Sequence, residues 1–250
     1  MKLLMTAHDI ETLERATVVA VSPQVQEEIA GWLLPFDSGT VGRARSAVPL
    51  AHAAPDAAVI EEIEARYAAR NLPVMCRLPH LPAFDAFSKL LRSRGYDAGK
   101  PTHVQVAEVA SVMKVSAGPF AHTATHPDAA WAAVFVGEGF DPVDGASRVA
   151  TLSRAPGALF ASIREGGETV AAGVGGFSHG WASVHGMRTA QRCRGRGLAG
   201  RVLATLAQAA QSRGIERIFL QVEASNAPAL ALYRSAGFTT AWTYSYWKKP

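Results

Sequence analysis

Downstream of residue 158, apolar and polar positions alternate in short runs that break at glycine. Residues 158–164, 169–177 and 181–189 read as three strands, joined by turns at Gly166-Gly167 and His179-Gly180. The period then changes. Leu198, Val202, Leu206 and Ala209 fall on one face of a helix, which Gly214 can stop. Residues 217–223 return to a β-rich alternation. Residues 226–237 read as a second helix: Asn226 can cap it, Pro228 is tolerated in its first turn and Gly237 can close it. A last strand spans 239–247, and a helix carrying Trp131, Val134 and Phe135 is predicted over 127–140.

The upstream half carries a fainter version of the same order. Residues 32–36 and 44–49 predict strands. Residues 57–70 predict a helix with Ile60, Ile63 and Tyr67 on one face, and 74–78 a short strand. A helix over 83–94 closes at Gly95-Tyr96, much as the later one closes at Gly237-Phe238. Residues 103–109 predict a final strand. Between 108 and 127, Gly, Ser, Ala and Pro thin the periodicity. We therefore expect an α/β chain of two halves, residues 1–110 and 111–250.

Composition adds exclusions. Of 250 residues, 48% are hydrophobic and 18% charged, which is ordinary for a globular protein. No apolar run reaches the roughly 20 residues that span a bilayer. The stretch from Met1 to Asp9 lacks the apolar core of a signal peptide, so a cytoplasmic protein with no membrane partner is expected. The two cysteines, Cys76 and Cys193, provide neither a disulfide framework nor metal-ligand spacing, and no metal is expected. The net charge of +4 is modest, but Arg188, Arg192, Arg194, Arg196 and Arg201 cluster around one turn.

That turn, Arg194-Gly195-Arg196-Gly197-Leu198-Ala199, lies between a predicted strand and a predicted helix. The first-turn amides of a helix have no intrahelical partner, and the positive end of its dipole points the same way. Glycine lets phosphate oxygens approach the backbone, and arginine adds charge-assisted hydrogen bonds. The turn is suited to a pyrophosphate. It is not a P-loop, which ends Gly-Lys-Ser/Thr, and it lacks the three spaced glycines of a dinucleotide fingerprint. A polyanionic cofactor explains the arginines more economically than nucleic acid, since no aromatic stacking platform surrounds the turn.

The Arg-x-x-Gly-x-Ala spacing resembles the acetyl-coenzyme A loop of the GCN5-related N-acetyltransferases (GNAT). The later run Val222-Glu223-Ala224-Ser225-Asn226, with Ala229, Leu232-Tyr233 and Gly237-Phe238, resembles the family's second signature, most closely in the branch that acetylates protein N-termini. The resemblance covers roughly residues 120–250. It implies a mixed α+β GNAT fold, a central mixed sheet flanked by helices. It also implies an N-acetyltransferase that moves the acetyl group of acetyl-coenzyme A to a primary amine by direct attack. A tandem form is implied as well, its N-terminal half a degenerate copy. That half has Leu50 to Asp56 where a phosphate loop would sit and Leu90 where Tyr233 would be matched.

Carried onto this chain, the family's site places coenzyme A against Met187, Arg188, Thr189, Arg194, Gly195, Arg196, Gly197, Leu198, Ala199 and Gly200. A backbone amide between Met187 and Thr189 would face the acetyl oxygen. Asn226 either contacts the cofactor or simply caps its helix. Tyr233 matches the general acid; a core tyrosine is the plain alternative. The base is open. Relatives carry a glutamate at the position of Gln221, so Glu223, His185, His179 and a water chain are all candidates. Gln221 also keeps open a coenzyme A-binding regulatory module or pseudoenzyme. A protein N-terminus, an amino acid, a polyamine and an antibiotic amine all remain possible acceptors.

Overall fold

The computed structural model describes residues 5–250, so Met1 to Leu4 of the opening stretch lie outside the described residues. The chain begins with helix α1 (Ala7–Val21). Thr6 caps it: Thr6 Oγ1 accepts from Asp9 N at 3.1 Å and Asp9 Oδ2 accepts from Thr6 N at 3.0 Å. The sequence pattern did not predict this helix, because its buried face mixes Asp9, Glu14 and Thr17 among Ile10, Leu13 and Val21. Polar residues that are buried by pairing look like solvent-facing ones in a hydrophobicity pattern.

Strands β1 (Val25–Ile29) and β2 (Trp32–Phe36) form a hairpin. Its turn residues Ala30 and Gly31 both take positive φ, matching the twist of the two strands. The expected strand over 44–49 shrinks to β3 (Val48–Pro49), because Gly42–Ala44 forms a 3-10 turn. Helix α2 (Val59–Ala68), strand β4 (Met75–Pro79), helix α3 (Asp85–Ser93) and strand β5 (Asp97–Glu108) complete this half.

A short helix α4 (Val109–Val112) and strand β6 (His122–Ala124) lead to helices α5 (Ala129–Ala133) and α6 (Pro142–Ser153). The single helix expected over 127–140 is therefore two. Gly139 takes positive φ, and Asp141 with Pro142 restarts the chain as a capped helix. Gly145 lets α6 approach α5, since a Cβ there would sit 2.2 Å from Phe135 O. Strands β7 (Leu159–Glu165), β8 (Glu168–Ser178) and β9 (Trp181–Thr189) follow, then helix α7 (Leu198–Gln211). Strand β10 (Arg217–Glu223), helix α8 (Ala227–Ser235) and strand β11 (Thr239–Lys248) end the chain. No helix among the described residues is long and apolar enough to cross a membrane.

The strands form a three-stranded sheet, β1-β2-β3, and a mixed eight-stranded sheet ordered β4-β11-β5-β10-β9-β8-β7-β6. The two halves share the larger sheet. β5 lies between β10 and β11, antiparallel to both, and β11 lies between β4 and β5. Segments from both ends of the chain therefore build one continuous sheet. A parallel bridge from Ala47 to Cys76 joins the small sheet to β4. Leu34, Ile60, Ile63, Tyr67, Phe87 and Tyr96 of the upstream part form one core with Trp247 of β11.

One buried ion pair ties α1 to β4. Arg77 Nη1 lies 2.9 Å from Glu14 Oε2, with side chains 1% and 3% exposed. The guanidinium also sits over the Tyr244 ring at 5.4 Å. Removing one partner leaves the other charge buried and uncompensated. Arg77→Met should therefore lower the unfolding free energy by about 3–5 kcal/mol in urea titrations, while Arg77→Met with Glu14→Leu should cost less than Arg77→Met alone.

Candidate active site

The site begins where two strands part. β9 and β10 are parallel neighbours, yet they pair only at Ala182–Ile218, Ser183–Phe219 and Val184–Leu220. Beyond that point His185–Thr189 and Gln221–Glu223 have no ladder between them. The cause is a bulge in β9. Its pairing with β8 shifts between Ala172 and Val174, so Gly186 and Met187 oppose Gly173 alone. Both glycines are needed here. Gly186 takes φ +58, and a Cβ on it would lie 2.8 Å from Leu152 Cδ1. A Cβ on Gly173 would lie 2.6 Å from Met187 Sδ and 2.8 Å from Val202 Cγ1.

On the α7 and α8 side of the gap runs a groove of about 580 Å³. Its walls bring together Met187, Arg188, Thr189, Arg194, Gly195, Arg196, Gly197, Leu198, Ala199, Gly200, Asn226 and Tyr233. Phe140 and Leu232, which the sequence did not single out, also line it. Gly197 is the N-cap of α7 and has no side chain to satisfy the helix amides. Gly195 and Gly197 have φ of +77 and +73, and no protein atom lies within 4 Å of where a Cβ would stand on either. A chain of donors around glycines, opening on free space, fits a pyrophosphate.

The arginines differ in availability. Arg196 makes a bidentate pair with Glu165 at 2.7 and 3.0 Å, Arg192 pairs with Glu168, and Arg201 Nε donates to Pro119 O at 2.8 Å. Arg194 has no ion-pair partner among the described residues. Arg188 lies over the Phe140 and Phe135 rings at 4.7 and 5.6 Å, and burial pulls its pKa down, with nearby Arg148 adding to the effect.

Tyr233 sits in the groove wall, 7% exposed and edge-on to Phe238 at 5.8 Å. Burial pushes its phenol pKa up to about 12. Asn226 caps α8, its Oδ1 accepting from Ala229 N at 3.3 Å. Cys193 is buried below the loop.

The opposite side of the gap, under α1, holds a second cavity of about 350 Å³. Gln221 and Glu223 line it from β10, Tyr244 and Tyr246 from β11, and Thr40–Arg43 and Gly99–Thr102 from the upstream half. Gln221 is held at both ends. Its Nε2 donates to Thr17 Oγ1 at 3.1 Å, and its Oε1 accepts from Tyr244 OH at 2.8 Å. Glu223 is exposed in the cavity, and its carboxylate makes no hydrogen bond or ion pair with the described residues. His185 is 2% exposed, edge-on to Phe219, with neither ring nitrogen partnered, and burial holds its pKa well below the usual imidazole range. His179 lies in the β8–β9 turn, at the far end of β9 from the gap. Sequence reasoning missed Arg43, Lys100 and Tyr246, because they reach this cavity from a loop and two strands remote in the chain.

Comparison with known proteins agrees with this geometry. The family model described as "Probable histone acetyltransferase Rv0428c C-terminal" matches residues 6–247. A Bacillus subtilis (strain 168) protein named "Uncharacterized N-acetyltransferase YobR" is 26% identical over 243 residues, covering 95% of this chain and 98% of that one. Among solved structures, a GCN5-related N-acetyltransferase from Kribbella flavida superposes with a TM-score of 0.70 at 19% identity, covering 99% of this chain and 97% of that one. The tandem GNAT protein from the clavulanic acid biosynthesis pathway superposes with a TM-score of 0.60 at 15% identity, over 97% and 96% of the two chains.

The bulge is open to a direct test. Gly186→Ala forces a side chain into positive φ and against Leu152, and should lower stability by about 1–3 kcal/mol in urea titrations. Unchanged stability would mean that β9 does not need the bulge.

Proposed function

Since this chain belongs to the acetyltransferase family of the Rv0428c C-terminal model and has the GNAT fold, we propose that it is an acetyl-coenzyme A-dependent N-acetyltransferase acting on a primary amine, working in the cytoplasm. One observation carries the reading. A groove suited to a pyrophosphate lies against the part of β9 that has left the β10 ladder, and a smaller cavity with a free carboxylate lies against the part of β10 beyond the same point.

Acetyl-coenzyme A, when bound, supplies a thioester whose leaving group is a thiol, a better leaving group than an alcohol because thiols ionise far more readily (free cysteine has a pKa of about 8.5). The chain does the rest. Gly195 to Gly200 and Arg194 hold the diphosphate, while the unpaired backbone of β9 and β10 takes the pantetheine arm as a sheet edge takes a peptide. An N–H between Met187 and Thr189 donates to the acetyl oxygen as it gains charge. Glu223 accepts the amine's proton, in preference to His185, whose ring is sealed from the cavity. Tyr233 donates to the departing sulfur. Burial keeps the phenol protonated at neutral pH, the state a general acid needs.

The tandem reading is proposed with it: residues 1–110 as a degenerate copy and 111–250 as the catalytic half. Supporting it, both halves run as three antiparallel strands, a helix, a strand, a helix and a final strand, and each final strand enters the other half's sheet edge. The upstream loop over 50–56 has no residue of positive φ and packs His52 edge-on against Trp242. A coenzyme A-binding module without efficient turnover is the second reading, favoured by Gln221, whose amide is fully engaged with Thr17 and Tyr244.

Calorimetry should find one coenzyme A site per chain. Gly197→Asp should weaken it by at least about tenfold, or ~1.4 kcal/mol, by setting a negative side chain against the diphosphate. Near-wild-type affinity in a folded variant would remove the groove assignment.

Tyr233→Phe should cut turnover by roughly 10²-fold while leaving coenzyme A affinity little changed. Because the phenol stays protonated up to about 12, the basic side of the neutral pH–rate profile should keep its shape in the variant. Full turnover in folded Tyr233→Phe would assign the proton to water or another donor.

A further inference from the structure

The second cavity has a charge pattern that the transfer reaction itself does not require. Four cations line it, Arg43, Lys100, Arg148 and Lys248, against one carboxylate, Glu223. Arg148 is committed elsewhere: its Nε donates to Asp144 at 2.6 Å, and Asp144 also accepts from Thr40 Oγ1 at 2.7 Å. Arg43, Lys100 and Lys248 have no ion-pair partner among the described residues. The cavity therefore carries uncompensated positive charge beside the proposed base.

Arg43 is held there by the fold. A Cβ on Gly42 would lie 2.8 Å from the Tyr246 ring, so this loop presses its backbone onto β11 and delivers the next side chain into the cavity. Arg45 Nη1 donates to Gly39 O at 2.9 Å, and Gly39 N donates to Asp37 Oδ1 at 2.7 Å, which brace the loop from behind. The charge on Arg43 is felt at Tyr233 on the groove side as well as at Tyr244, which places it near the gap. The hydrogen of Tyr244 OH is used on Gln221, so the 3.2 Å contact between the two phenols has Tyr246 as donor. Tyr246 oxygen is left as an acceptor. The cavity thus offers Glu223 and Tyr246 oxygen to an amine, and Arg43 and Lys100 to an anion.

We propose that the acceptor is a small amine bearing a carboxylate, an amino acid headgroup, rather than a lysine side chain of a basic protein; this rests on the acetyltransferase reading of the site. The volume fits: about 350 Å³ is at the small end of ligand pockets and is bounded by both halves of the chain. A basic peptide would bring like charge to Arg43, Lys100 and Lys248.

The test separates recognition from chemistry. The common L-amino acids, their α-carboxamides and a lysine-rich peptide are titrated calorimetrically into the full chain saturated with coenzyme A, and separately offered with acetyl-coenzyme A while thiol release is followed. At least one amino acid should bind about tenfold or more tighter than its carboxamide, the scale of a charge-assisted pair, and Arg43→Ala should erase that preference. Arg43→Lys should retain part of it, and Lys100→Ala should reduce it, which covers the case of one variant failing to fold. In turnover, the carboxylate should lower KM with little change in kcat. Equal binding of amino acid and carboxamide, or preference for the lysine-rich peptide, overturns the proposal. Selective binding with no thiol release from any amine removes the transferase reading and the acceptor assignment with it, whereas thiol release without the carboxylate preference overturns the acceptor assignment alone.

Discussion

Everything at the site depends on β9 and β10 ceasing to pair after three residue pairs. A parallel ladder broken inside a sheet leaves backbone donors and acceptors without partners, and such groups are costly to bury. The break is built in by Gly173 and Gly186, which let β9 bulge while Met187 and Val202 close over it. The same bulge turns Arg188 onto the Phe135 and Phe140 rings and leads the chain into the glycine loop.

The placing of β5 between β10 and β11 gives the cavity its far wall. β5 runs beside β10 along the whole of that strand, and β11 runs on the other side of β5, so the cavity floor belongs to both halves. Neither half alone would bring Arg43 near Glu223. The arrangement also accounts for Gln221. Its side chain must donate to Thr17 on α1 and accept from Tyr244 on β11 at once. A carboxamide does both; a carboxylate has no donor and would add a desolvated charge near the Glu14–Arg77 pair. The glutamine is suited to fastening three elements together, and it leaves Glu223, two residues on, as the carboxylate that faces the cavity.

The buried Glu14–Arg77 pair and the phenol network lie behind the same wall. Arg77 touches Glu14 and stacks over Tyr244, so α1, β4 and β11 meet at one charged contact. Rigid backing of this kind limits how far Tyr246 and Arg43 can move when a ligand enters. The groove side is less constrained: Arg194 has no ion-pair partner among the described residues, and Gly195 and Gly197 have open space where a Cβ would stand.

The sequence alone determined the parts whose cause is local. Strands β7 to β11 and helices α7 and α8 follow from period-two and period-3.6 patterns punctuated at Gly166, Gly180, Gly214 and Gly237. The groove was legible because a turn and a helix start, contiguous in the chain, make most of it. Other features could be decided only by tertiary structure. Helix α1 hides its buried Glu14 and Thr17 as if they were surface residues, and α6 starts at a cap after glycines rather than on an apolar stripe. His185 reads in sequence as a titratable base, yet packing against Phe219 seals it. The placing of β5 between β10 and β11, and the meeting of Arg43, Lys100, Tyr246 and Glu223, depend on pairings between segments more than a hundred residues apart. Hydrophobic period and turn chemistry encode what each segment becomes; which segments then lie side by side is set by the burial and hydrogen bonding of the whole chain, and no local pattern carries it.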